Sequence, residues 1–62
     1  MTIQDAIIAA EERARDFHAE EIQALREQEP ARAKRCRHSA ATLEEFARFL
    51  IERALSDPGV RA

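Results

Sequence analysis

The sequence carries two stripes of mostly apolar residues at regular coiled-coil spacing, and a proline separates them. The first heptad stripe recurs at alternating steps of four and three, and runs through Ile3, Ile7, Ala10, Ala14, Phe17, Glu21, Ala24 and Gln28. Such a period places every member on one side of an α-helix. The first half of the chain is therefore predicted to be a helix whose seam packs against another helix.

The second heptad stripe follows Pro30 and has the same period. It comprises Ala33, Cys36, Ala40, Leu43, Ala47, Leu50 and Ala54. Pro30 is tolerated in the first turn of a helix but disfavours helical geometry at Glu29, so one helix is expected to end there and another to begin. A turn this short forces the two helices to run antiparallel.

We therefore predict an all-α fold, an antiparallel two-helix hairpin in one domain spanning residues 1–62. The expected elements are a helix over about 3–28, a turn at about 29–30, a helix over about 31–55 and a flexible tail over 56–62. Thr2 and Asp5 resemble a capping box at the start, and Pro58 with Gly59 are stop signals at the end. A rival interpretation starts the second helix at Thr42, because "TLEE" also fits a capping box, and leaves residues 31–41 as a loop.

The chain is too short to bury a large core, and its one cysteine, Cys36, excludes an internal disulfide. Several large apolar residues fall outside both stripes: Ile8, Ile22, Phe46, Phe49, Ile51 and Leu55. A lone hairpin would leave them in contact with water, which is typical of an interface. We expect a homodimer that forms a four-helix bundle, and a second protein partner for which Phe46, Phe49 and Ile22 are the principal anchors. An alternative is that the chain is one subunit of a larger assembly.

Positive charge is concentrated in a basic segment, defined here as Arg32, Lys34, Arg35 and Arg37. Residues 1–29 carry a net charge of −5, residues 30–41 carry +4, and the whole chain carries −2. One interpretation is a solvated helix face, partly neutralised by Glu21, Glu27 and Glu29 across the turn. The alternative is that these four residues contact nucleic acid phosphates, although no aromatic residue is interleaved with them for base stacking.

Glu21 interrupts the first heptad stripe and should have a cationic partner, for which Arg35 or Arg32 is predicted. His18, Glu21 and Cys36 are three ligand-type residues on facing helices, too few for a strong metal prediction. No glycine-rich phosphate loop or nucleophile motif occurs, so we expect no catalytic residue, no metal and no cofactor. The apolar run "AIIAA" is too short for a membrane span, and a cytoplasmic location without membrane contact is expected.

The function that these features favour is a small non-enzymatic regulator, an inhibitor or adaptor that binds another protein through its helix faces. The alternative is a regulator that binds RNA or DNA through residues 32–37.

Overall fold

The protein is a pair of α-helices packed side by side, as the computed structural model shows for residues 2–56. Helix α1 spans Ile3–Arg26 and helix α2 spans Pro30–Ser56. The all-α two-helix architecture predicted from the stripes is confirmed. Helix α1 ends two residues before the expected position, and α2 includes Ser56, which had been assigned to the tail. Residues 57–62 of that expected tail, with the stop signals Pro58 and Gly59, lie outside the described residues.

Helix α1 begins with the capping box expected from the sequence. The Thr2 hydroxyl accepts a hydrogen bond from the Asp5 amide, and the Asp5 carboxylate accepts one from the Thr2 amide, both at 3.1 Å. Two amide groups that a helix terminus would otherwise leave unpaired are thereby satisfied.

The turn between the helices occupies residues 27–29, and it reverses the chain through a residue in the left-handed region. Gln28 has a φ of 58°. The Glu29 amide donates to the Ala24 carbonyl at 2.8 Å, and the Gln28 amide donates to the Leu25 carbonyl at 3.2 Å. This is the hydrogen-bond pattern of a Schellman motif, with glutamine at the position that usually holds glycine. Gln28 is exposed, so its predicted place in the first heptad stripe is wrong.

The core follows the two heptad stripes, and within residues 2–56 it contains only small side chains. Its buried apolar residues are Ala10, Ala14, Ala24, Ala33, Cys36, Ala40 and Ala47. The larger stripe members, including Phe17, Leu43 and Leu50, are only partly buried at the edges of the seam. Small residues at the seam let two helix backbones approach closely, because no long side chain separates them.

Helix α2 is continuous through residues 31–41, so the rival interpretation that began this helix at Thr42 is wrong. Thr42 is an interior helical residue, and its hydroxyl donates to the His38 carbonyl one turn earlier at 3.0 Å. In the region spanning residues 2–56, neither helix has a stretch long and apolar enough to cross a membrane.

Candidate protein-interaction surfaces

Every large apolar residue predicted to lie at an interface is exposed in the hairpin. The exposed fractions range from 39% for Ile51 to 63% for Leu55, and they include Ile8, Ile22, Phe46 and Phe49. Leu25, which the sequence analysis did not single out, is 52% exposed. Its spacing of three from Ile22 was the signal that could have found it, since residues three apart share a helix face.

One broad side of the hairpin, here called the phenylalanine face, carries large apolar residues on α2 from Leu43 onward. Arg13 and Phe17 of α1 line a shallow depression there with Leu43 and neighbouring polar residues of α2. The Arg13 guanidinium lies 5.7 Å from the centre of the Phe17 ring, within range of a cation–π contact. Phe46 and Leu50 continue this side of α2, because they follow Leu43 at steps of three and seven, and Phe49, three residues after Phe46, lies at its outer margin.

The opposite side, here called the charged face, carries ion-forming residues from both helices. A depression of about 360 Å³ is lined by Glu11, Ala14, Arg15, His18, Glu44, Ala47, Arg48 and Ile51. The His18 ring lies between two carboxylates, with Nε2 3.4 Å from Glu44 Oε1 and Nδ1 3.9 Å from Glu21 Oε1.

Apolar residues lie at the margins of the charged face. Ile22 lies one turn beyond His18, Leu55 lies one turn beyond Ile51, and Ile8 precedes Glu11 by three positions. The six predicted interface residues are therefore divided between the two sides of the hairpin.

The basic segment is partly neutralised within the fold. Arg32 Nη1 lies 3.1 Å from Glu27 Oε1 and also pairs with Glu29. A hydrogen bond from Gln23 at 2.8 Å, together with the one from Arg32, lowers the pKa of Glu27. The carboxylate of Glu27 in turn raises the pKa of Arg32.

Glu21 has a cationic partner, but it is neither Arg35 nor Arg32. Arg37 Nε donates to Glu21 Oε2 at 2.9 Å across the helix pair, so the predicted pairing is wrong. Arg32 lies near the turn and is held by the carboxylates of residues 27 and 29. Within residues 2–56, Lys34 and Arg35 form no ion pair with a carboxylate, and both are exposed.

Cys36 does not join His18 and Glu21 in a common cluster. Its thiol donates to Glu20 Oε2 at 3.6 Å, and burial, reinforced by the nearby carboxylate, raises the thiol pKa. Within the described ranges, no group of three His, Cys, Asp or Glu side chains is placed to hold a metal ion.

Comparison with known proteins finds no matching family model, no similar curated protein and no similar solved structure. The functional argument therefore depends on the geometry of the two faces.

Proposed function

We propose that this chain is a small non-enzymatic regulatory protein of the cytoplasm that binds another protein and inhibits or adapts it. Its working form is a homodimer in which two hairpins make a four-helix bundle. The helix faces that the bundle leaves exposed contact the regulated protein.

The observation that carries this proposal is the inverted distribution of apolar side chains. Among the described residues, the buried core consists of alanines and one cysteine, whereas seven large apolar residues are between 39% and 63% exposed. Burying a large apolar side chain contributes about 1.5–3 kcal/mol, several times the contribution of a single methyl group. Part of the apolar free energy available to this chain is therefore unused in the lone hairpin and can be realised only in association.

The division of these residues between two sides supports two separate contacts. Phe46 lies on the phenylalanine face and Phe49 at its outer margin, whereas Ile22, Ile51 and Leu55 lie on or beside the charged face. One interface cannot cover both broad sides of a hairpin. A second copy on one side and a different protein on the other would cover them all.

A non-enzymatic role is supported by the character of the seam and of the depressions beside it. The fully buried part of the seam consists of alanine methyl groups and the Cys36 thiol, as far as residues 2–56 show. An enzyme site usually needs an enclosed pocket with a few converging polar groups. The depressions here are open, and in the one on the charged face His18 pairs with Glu44 across the helices.

The test is affinity capture with tagged protein from native lysate of the source cells, with and without nuclease. Three baits are compared: the wild-type chain, Ile22→Glu and the control Ala41→Glu, which adds the same charge at an exposed position of α2. We expect one stoichiometric protein that resists nuclease, is lost with Ile22→Glu and is retained with Ala41→Glu. The purified partner should then change its activity when the chain is titrated in. Equal capture by all three baits would refute the role of the charged-face margin.

The second candidate, nucleic acid binding, is favoured by the exposed Lys34 and Arg35, which have no carboxylate partner within residues 2–56. Binding through all four predicted contacts, Arg32, Lys34, Arg35 and Arg37, would lower affinity about 150-fold between 50 and 200 mM salt. Two contacts would lower it only about tenfold.

A fluorescence titration against duplex DNA and structured RNA measures this slope. Lys34→Glu with Arg35→Glu should abolish binding, whereas Arg48→Glu on the charged face should not. An affinity that does not change with salt concentration would exclude nucleic acid binding through the basic segment.

A further inference from the structure

We infer that two copies pack through their phenylalanine faces about a two-fold axis parallel to the helices. In this arrangement α1 of each copy lies on α2 of the other, and both turns are at the same end of the bundle. The inference rests on the self-association proposed above and specifies its face, its direction and its pairing. Phe46, predicted to anchor a different protein, is thereby assigned to the contact between copies, and Phe49 lies at the margin of that contact.

The size of the phenylalanine face suits a second copy. Helix α1 has 24 residues. At about 1.5 Å per residue it is about 36 Å long, and two helices of about 10 Å diameter make a side of about 700 Å². A stable protein interface buries about 800 Å² on each partner. One broad side of the hairpin therefore provides roughly the area that a stable dimer needs.

The distribution of side-chain sizes on this face favours an arrangement in which α1 of one copy packs on α2 of the other. Away from the turn, the α2 half carries the large residues Phe46 and Leu50, whereas the α1 half carries Ala6 and Ala9, which precede Arg13 by seven and four positions. Placing α1 on α2 sets large residues against small ones at both halves of a symmetric interface. Placing like helices together would pack α2 on α2, so the large residues of α2 would no longer lie on Ala6 and Ala9.

Charge at the turn end favours the same pairing and fixes its direction. Asp16 and Glu20 lie beside Arg13 and Phe17 on the phenylalanine face. Arg35 lies on this side of α2, because it precedes Ser39 of the same depression by four positions. With both turns at one end, Glu20 of each copy lies at nearly the height of the partner copy's Arg35.

The alternative arrangement has turns at opposite ends. It would pair α1 with α1, whose segment over residues 1–29 carries −5, and would oppose like charges.

The first test measures the direction of packing by energy transfer between a donor dye on one copy and an acceptor dye on the other, after the two labelled preparations are mixed. All chains carry Cys36→Ala. Each chain also carries one new cysteine for its dye at an exposed position near one end of α2, either Ala31→Cys or Glu52→Cys. These positions are separated by about 32 Å along the helix. We expect stronger transfer between donor and acceptor both at 31 than between donor at 31 and acceptor at 52.

The reverse order would overturn the proposed packing while leaving the dimer intact. A monomer in sedimentation equilibrium would refute self-association itself. Partner capture, measured separately, does not depend on either result.

The second test measures which face the copies use. Phe46→Glu should raise the dimer dissociation constant about 100-fold, as expected for loss of a central apolar anchor. Ile51→Glu, the matched change on the charged face, should raise it less than about threefold, because the residue stays outside the contact. Far-ultraviolet circular dichroism at the same concentrations reports the helical content, and Phe46→Leu provides a milder variant if Phe46→Glu unfolds. A stronger effect from Ile51→Glu would overturn the choice of face.

Discussion

Arg37 and Glu21 join the two helices by an ion pair in which one partner is shielded and the other is not. Arg37 Nε lies 2.9 Å from Glu21 Oε2, and the Glu21 side chain is 15% exposed, whereas that of Arg37 is 67% exposed. The carboxylate occupies a position where the first heptad stripe otherwise has apolar residues. The exposed guanidinium therefore compensates a charge that lies partly inside the seam.

We predict that Arg37→Ala destabilises the folded protein by about 1 kcal/mol, because Glu21 loses its hydrogen-bond donor while it remains shielded. The high exposure of Arg37 keeps the effect at this modest size, and added salt should reduce it. Lys34→Ala, which removes a positive charge from the same helix without breaking an ion pair in the described chain, should change stability by less than about 0.5 kcal/mol. Urea denaturation at low and high salt measures both, and equal losses would contradict the structural role of the pair.

We predict that Ala40→Leu disrupts helix packing and costs about 1–3 kcal/mol or more, because Ala40 is fully buried where the helices meet. Ala41→Leu is the matched control, since Ala41 is the next residue and is exposed. It should leave the free energy of unfolding nearly unchanged or raise it slightly through leucine's good helix propensity. Thermal melts at a fixed protein concentration compare the two variants. If Ala40→Leu were tolerated, the close approach of the helices would be wrong.

We predict that Gln28→Gly stabilises the protein by about 1 kcal/mol, because glycine adopts a positive φ without the steric cost that a side chain incurs. Gln23→Gly changes the same residue type in the interior of α1. It should destabilise the protein by about 1 kcal/mol, the usual cost of glycine in a helix. Chemical denaturation measures the free energy of unfolding of both variants. An increase for Gln28→Gly with a decrease for Gln23→Gly would establish the left-handed conformation of the turn, and changes in the same direction would contradict it.

We predict that Cys36 makes stability sensitive to alkaline pH. Burial and the Glu20 carboxylate raise the pKa of the folded thiol above its ordinary value of 9.0. The unfolded thiol ionises first as the pH rises, so this contribution is complete below about pH 9 and is lost above it. As the pH rises from 8 to above 9, the free energy of unfolding should fall more for the wild-type protein than for Cys36→Ala. A thiol reagent at pH 8 should also react slowly with the native protein and rapidly in urea.

The two heptad stripes were sufficient to predict the hairpin because periodicity is a property of the helix itself. The alternation of three and four residues identified all seven buried core residues, and Thr2 with Asp5 identified the first cap. Gln28 was misplaced, because a left-handed glutamine has no signature that distinguishes it from a last helical residue. The stripe therefore ran one step into the turn.

Pairing between the helices was harder to predict than the helices themselves. The choice of Arg37 as the partner of Glu21 depends on how two long side chains reach across the seam, and a shift of two residues in α2 changes the partner. Lys34 and Arg35 were in the same basic segment as the two paired arginines, and composition does not reveal which guanidinium meets a carboxylate. The division of the apolar residues between two faces follows from helical angles once the hairpin register is known.

The alanine core also determines how this protein should respond to heat. The heat capacity change of unfolding scales with the apolar surface that becomes hydrated, and a seam of methyl groups exposes little of it. A lone hairpin would therefore have a flat stability curve and a broad melt. Covering the large apolar residues by association would add a substantial heat capacity change and sharpen the transition. The heat capacity change of unfolding, measured by calorimetry, thus reports how much of the exposed apolar surface of the hairpin is covered by association.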